Sequence, residues 1–396
     1  MAGKPIIAAG LDVGSRQTRL VVCLLEKGRL RLIGCGVVPS QGWVKGRIFD
    51  QGAVTESIVV ALSEAEATAG KSVESVVVGI GGPTVRGANN RGVLELGYMR
   101  EVEQRDINRA VDRATRVQLQ EDRMLLSVFL QDFVVDDHPG HRNPIRMDAA
   151  RLESNVHLLM CSVQEHAALL TAVNHAHLAV EETVFEGLAA SYAAVLPEHR
   201  RQGIAVVDIG AHSTEMVVYY GDAMYLSSYV KVAGDHFTRD LAQGLCLSFE
   251  DAERVKVEYG SAMASTCAVN AVVDLPTPEN RDYRHAQRRF VNEILQARAE
   301  ELFRFVRSEL IRVGMEHALT GGVFLTGGGA RLPELLDVAD SVLGCQARFG
   351  LPIGIRHWPE AMDHPEWTVA AGLAMYSAKL KTQEQKANRG ILGKLL

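Results

Sequence analysis

The chain has 396 residues, 47% of them apolar and 23% charged, with a formal net charge of −6. That length suffices for two domains of roughly 150 to 200 residues each, and the acidic balance argues against a nucleic-acid-binding protein. Six cysteines (Cys23, Cys35, Cys161, Cys246, Cys267 and Cys345) form no C-x-x-C pair and have no histidine at zinc-finger spacing, so they read as thiols of a reducing compartment.

The first element is a hairpin: Ile6 to Val22 is an apolar strand, an Asp12-x-Gly14 turn with Ser15 close behind, and a second apolar strand. Residues 55 to 69 have helical spacing, with Ile58, Val59, Leu62 and Ala65 on one face, and Val73 to Ile80 reads as a buried strand ending at Gly81 and Gly82. Pro83 to Cys161 reads as an inserted module. It contains strands around Val93–Leu96, Leu125–Val135 and Val156–Met160, and a helix from Glu101 to Val117 whose Arg105, Arg109, Arg113 and Arg116 form a solvated face. A helix over 164–176 and a strand over 178–185 follow, then a helix of small residues from Glu186 to Leu196.

Ile204 to Val218 then repeats the opening pattern 196 residues on, and the offsets match: Asp12 to Leu20, Asp208 to Met216. One such hairpin is common, but two in register suggest a duplicated domain. A further insertion spans Asp235 to Leu310, with helices at Ala252–Gly260 and Arg288–Val313. Val323 to Leu336 reads as a strand, a triple-glycine turn (Gly327, Gly328, Gly329) and a helix with Pro333 in its opening turn, and Thr368 to Leu380 as a closing helix.

These turns suit phosphate chemistry. Gly14 and Gly210 let backbone N–H groups approach an anion, and Ser15, Ser213 and Thr214 offer hydroxyls to the same oxygens. Asp12 and Asp208 would act on Mg²⁺ through its waters, because a bare carboxylate repels a polyphosphate.

The order of two D-x-G hairpins followed by T-G-G-G-A resembles the actin, sugar kinase and DnaK-type chaperone superfamily, and within it the FtsA family of bacterial cell-division actins. G-L-D-V-G-S at Gly10–Ser15, V-D-I-G-A-H-S-T at Val207–Thr214 and L-T-G-G-G-A-R-L-P at Leu325–Pro333 are similar to the two phosphate motifs and the adenosine motif. More specific to FtsA are G-x-N-x-R-G-V at Gly87–Val93, Q-D-F-V-V-D at Gln131–Asp136, N-P-I-R-M at Asn143–Met147, R-L-E-S-N-V-H at Arg151–His157 and A-G-D-H-F-T-R-D-L-A at Ala233–Ala242.

The resemblance implies an α/β fold of two ribonuclease-H-like, actin-type halves with an ATP cleft between them. The implied first half is 1–82 with 162–202, carrying a 1C-like subdomain at 83–161, and the second is 203–234 with 311–376, carrying a 2B-like insertion at 235–310. It also implies nucleotide contacts from Arg16 and Gly234, a ribose and adenine pair at Glu253 and Lys256, and catalytic roles for Glu186 and Asp208. Two departures from the family pattern, Ala211 and His212 in place of glycines and Gln17 in place of a basic residue, lead to an expectation of slow hydrolysis at most. The implied partners are the FtsZ C-terminal peptide, further copies of the chain in a filament, and other divisome proteins. A pilus-assembly or microcompartment scaffold, or a sugar or acetate kinase, are the alternative readings.

The last twenty residues, 377–396, carry five basic side chains and one acidic. Lys379 to Asn388 reads as a flexible polar spacer. Beyond it, a helix would gather Ile391, Leu392, Leu395 and Leu396 on one side, flanked by Arg389 and Lys394. That pattern suits an anionic membrane surface. With no secretory leader pattern and no long apolar run, the expectation is a cytoplasmic body held peripherally on the inner membrane face at the division site.

Overall fold

Two sheets built on the Asp-x-Gly hairpins repeat one topology. In the computed structural model, which describes residues 6–275 and 284–392 and side chains as far as Lys386, the first sheet runs Arg29–Pro39, Gln17–Glu26, Ile6–Val13, Ser75–Ile80, Ala179–Phe185. The second runs Ala223–Val230, Thr214–Tyr220, Ile204–Ile209, Val323–Thr326, Ala347–Phe349. In each, the first three strands are antiparallel, and the last two run parallel to the first strand in sequence. Parallel neighbours need crossovers, and helices such as Gln51–Ala69 and Leu335–Leu343 provide them. The hairpin registers coincide: Asp12 pairs with Arg19 as Asp208 pairs with Glu215. A short strand, Ile355–Arg356, extends the first sheet at its outer edge.

Helix Gln51–Ala69 begins earlier than apolar spacing alone indicates, because the Asp50 side chain accepts from Ala53 N at 3.1 Å and caps it. Ser248 does the same for Phe249–Tyr259, accepting from Asp251 N at 3.1 Å. The small-residue helix Glu186–Ala194 leads from the first half to the second and packs on the C-terminal helix. The fit is backbone to backbone: a Cβ on Gly372 would stand 1.9 Å from the Ala189 carbonyl oxygen.

The inserted module is a four-stranded sheet in the order Arg86–Glu101, Asp148–Ser162, Arg123–Val135, His138–His141, covered by helix Gln104–Thr115. Leu94, Ala110, Phe133 and Leu152 fill its own core. The second insertion holds helices Gly234–Leu245, Phe249–Tyr259 and Arg288–Arg312 and a small hairpin, Val272–Leu275 with Arg284–Gln287.

Two local expectations are corrected. Pro333 lies outside its helix, which starts at Leu335 after Glu334 adopts a left-handed conformation (φ 58°); the glycine turn instead enters a short 3₁₀ turn, Gly328–Arg331. The segment read as a spacer is helical, since the closing helix runs unbroken from Thr368 to Leu392. From Lys379 to Asn388 it contains no glycine or proline to stop it, and Lys381 Nζ anchors it by donating to the Ile7 carbonyl and pairing with Glu181, both at 2.8 Å.

Candidate functional site

A cavity of about 480 Å³ lies between the two hairpin turns, a size suited to a small-molecule ligand. The first turn contributes Asp12, Gly14, Ser15 and Arg16, and the second Asp208, Gly210 and Ser213. Glu186 comes from the start of the helix between the halves, Gly234, Glu253 and Lys256 from the second insertion, and Gly327, Gly328 and Gly329 from the triple-glycine turn. Thr214 is the exception among the residues singled out there. It is fully buried at the start of its strand, and its hydroxyl has no partner.

Acidic groups crowd one end. Burial pushes the Asp12 carboxyl up to about 7, Arg19 opposing and Asp208 reinforcing the shift. Asp208 is pushed up to about 6 by burial, against the Thr326 hydroxyl that donates to its Oδ1 at 2.8 Å. Glu215 rises to about 8 through burial and the nearby Asp208, although Gly82 N donates to it. Glu186 is also raised, by burial first and then by Glu215. Beside Asp12 and Asp208 is the Arg19 guanidinium, which stacks 5.5 Å over the Trp367 ring and leaves its Nε without a partner.

At the mouth, Arg16 reaches across from the first turn to Glu253 at 3.3 Å. Glu253 also pairs with Lys256 at 2.7 Å, and Lys256 Nζ donates to Thr238 Oγ1 at 2.8 Å. His212 does not line the cavity; its Nε2 meets Asp235 Oδ2 at 3.1 Å. Among the described residues, no three acidic, histidine or cysteine side chains converge closely enough to ligate a metal directly.

Residues 205–372 match the family model of the cell division protein FtsA, and residues 82–160 match the SHS2 domain inserted in FtsA. The FtsA of Pseudomonas aeruginosa is 31% identical over 376 residues, covering 95% of this chain and 89% of that protein. The chain belongs to the FtsA family. A cell-division role on an actin-like fold follows from that membership. Among solved structures, the PilM–PilN type IV pilus biogenesis complex aligns with TM-score 0.68 at 19% identity, covering 94% of this chain and 98% of that one. MreB5 of Spiroplasma citri, bound to ADP, aligns at 0.58 and 13%, covering 96% and 98%; likenesses this remote report the fold alone.

Motif reading missed Glu215, Thr326, Arg331 and Glu366 at the site. Glu215 had a usable signal: it stands seven residues after Asp208, as Arg19 does after Asp12, so the register of the repeat sets each beside its aspartate, Arg19 lining the cavity and Glu215 lying buried behind it. Arg331 and Glu366 join at 2.9 Å from segments 35 residues apart, and nothing local relates them.

Proposed function

We propose that this FtsA-family chain is an ATP-binding actin-like scaffold that ties FtsZ filaments to the inner face of the cytoplasmic membrane and recruits other divisome proteins. The observation that carries the nucleotide reading is the convergence of both Asp-x-Gly turns and the triple-glycine turn on one cavity. Gly14, Ser15, Arg16, Gly210 and Ser213 would hold the phosphates, with Thr214 supporting the second turn from behind. Glu253, Lys256 and Gly234, opposite Gly327–Gly329, would hold the nucleoside, and Arg19 would meet the phosphates from the acidic end.

The donor set fits Mg²⁺. Burial makes all four carboxyls hold their protons well above the ordinary range, Arg19 opposes this at Asp12 and Asp208, and one Glu215 oxygen has no partner, so a cation that favours the ionised forms would be accommodated here. Hard oxygen donors of this kind suit that ion, with Asp12 and Asp208 acting through its waters. When bound, the ion would neutralise phosphate charge. Glu186 would orient a water at the terminal phosphate, and Asp208 would support it. With Ala211 and His212 in the second turn, turnover is expected to be slow.

The SHS2 module and further copies of the chain would make the filament, and the 235–310 insertion would take the FtsZ tail. A hollow bounded by Leu245, Val269, Arg284, Arg289 and Phe290 suits a peptide carrying acidic and apolar side chains. Membrane contact is assigned to the end of the chain. Arg389, Ile391 and Leu392 close the last helix, and Lys394, Leu395 and Leu396 lie outside the described residues. Among the described residues no helix is long and apolar enough to cross a membrane. Reconstitution tests the whole reading: FtsZ should collect on anionic vesicles when this protein and ATP are supplied. FtsZ remaining in solution while the protein itself is on the vesicles would exclude the tether.

A further inference from the structure

The G-x-N-x-R-G segment does no work at the nucleotide cavity, yet it sits where the inserted module meets the other half of the molecule. The module is rooted in the first half: strand Asp148–Ser162 runs straight into helix Val163–His175, and Leu159 and Cys161 are buried with Val54, Ile58 and Val78 of that half. Its free face packs on Ala223–Val230, the edge strand of the second sheet.

A directional network joins the two. Asn89 Nδ2 donates to the Tyr225 carbonyl at 3.1 Å, which fixes the amide so that Oδ1 is the acceptor. That oxygen receives Gln131 Nε2 at 3.2 Å and His157 Nδ1 at 2.6 Å, so the imidazole proton is on Nδ1. His157 Nε2 must then accept, and the Ser227 hydroxyl donates to it at 2.7 Å. Gln131 also donates to the Met224 carbonyl at 2.9 Å. His157, Gln131 and Ser227 are buried, and burial holds the imidazole neutral by lowering its pKa to about 4. Gly87 completes the fit: a Cβ there would stand 2.1 Å from Ser227 Oγ and 2.7 Å from His157 Nε2. Asn89 itself is exposed. Apolar surfaces tolerate sliding, whereas moving this network leaves the buried polar groups of His157, Gln131 and Ser227 unsatisfied.

We propose that the inserted module is a brace across the cleft, rooted in the first half and locked to the second half's edge strand by Asn89, Gln131, His157 and Ser227, and that it restrains the angle between the halves. Resting on the nucleotide reading above, this predicts that a ligand displacing the module from the edge strand loosens the cleft, and by reciprocity that cleft occupancy alters the affinity for that ligand.

Spin labels introduced through a non-cysteine amino acid at Ser63 in the first half and Asp337 in the second, both exposed, test the brace without nucleotide. The wild type should give a narrow distance distribution, and Ser227→Ala combined with Asn89→Ala should broaden it. Gly87→Ala should move its centre as well. Ser227→Ala alone, the mildest change, should give an intermediate width and guards against loss of folding in the others. An unchanged distribution in all three overturns the brace. In parallel, dissociation of a fluorescent ATP analogue should be faster in the double variant. No analogue binding to the wild type would count against the nucleotide reading alone, leaving the distances to decide the brace. Binding with equal dissociation rates would overturn the link between brace and cleft.

Discussion

Glu186 and Glu215 bring their carboxylates to the same side of Gly81: a Cβ added there would lie 2.4 Å from Glu186 Oε2 and 2.1 Å from Glu215 Oε1. The first comes from the helix joining the halves and the second from the second hairpin, so three separate parts of the chain meet at one α-carbon. Gly81→Ala is therefore expected to force two buried acids aside. Urea denaturation should show a loss of about 1–3 kcal/mol, as for other overpacked sites. An unchanged midpoint would mean that the pair has room to move.

The acidic cluster makes stability depend on pH in a definite direction. Asp12, Asp208 and Glu215 titrate at about 7, 6 and 8 in the folded chain, against ordinary values of 3.8 for aspartate and 4.5 for glutamate. Between about pH 4 and pH 8 the folded protein thus keeps protons that the unfolded chain has released, and stability falls as pH rises through that window and then levels off. Thermal melts without nucleotide should show this decline. Mg²⁺ with ATP should flatten it by favouring the ionised carboxyls, and Glu215→Gln should reduce it.

Arg16 and Glu253 close the mouth with an ion pair that is partly exposed, and such pairs contribute about 0.2–1 kcal/mol. Glu253→Gln also weakens the hold on Lys256, so nucleotide should leave a few-fold faster than from the wild type in stopped-flow displacement. A slower release would reverse the sense of this contact.

The end of the chain and the cavity should separate experimentally. Deleting Arg389–Leu396, or changing Leu392 and Leu395 to Asp, is expected to abolish co-sedimentation with anionic vesicles while ATP binding persists. Each basic residue favours anionic lipid by about 1 kcal/mol, and a short helix holds weakly alone, so filament formation should strengthen binding through avidity. Vesicle binding by the truncated protein would move the membrane contact elsewhere.

Much of the fold could be read from the sequence because it is written twice. The hairpins carry turn chemistry and strand alternation in the same register, and both signals are local. What escaped depends on contacts distant in sequence. Glu215 is flagged by the repeat register, but its partner Gly82 comes from the first half; His157 finds Ser227, and Asn89 the Tyr225 carbonyl, only across a domain boundary, and Arg331 meets Glu366 from another segment. The supposed spacer after Lys379 failed for a different reason. Its polar composition hid good helix formers, and a tertiary anchor at Lys381 fixes the helix to the first sheet.

Titration calorimetry of ATP in the presence and absence of Mg²⁺ tests the central claim most directly. The wild type should bind one nucleotide per chain more tightly with the metal, and Asp208→Ala should lose that metal-dependent gain. No binding heat from the wild type under either condition, with the protein folded, would contradict a nucleotide site between the two turns.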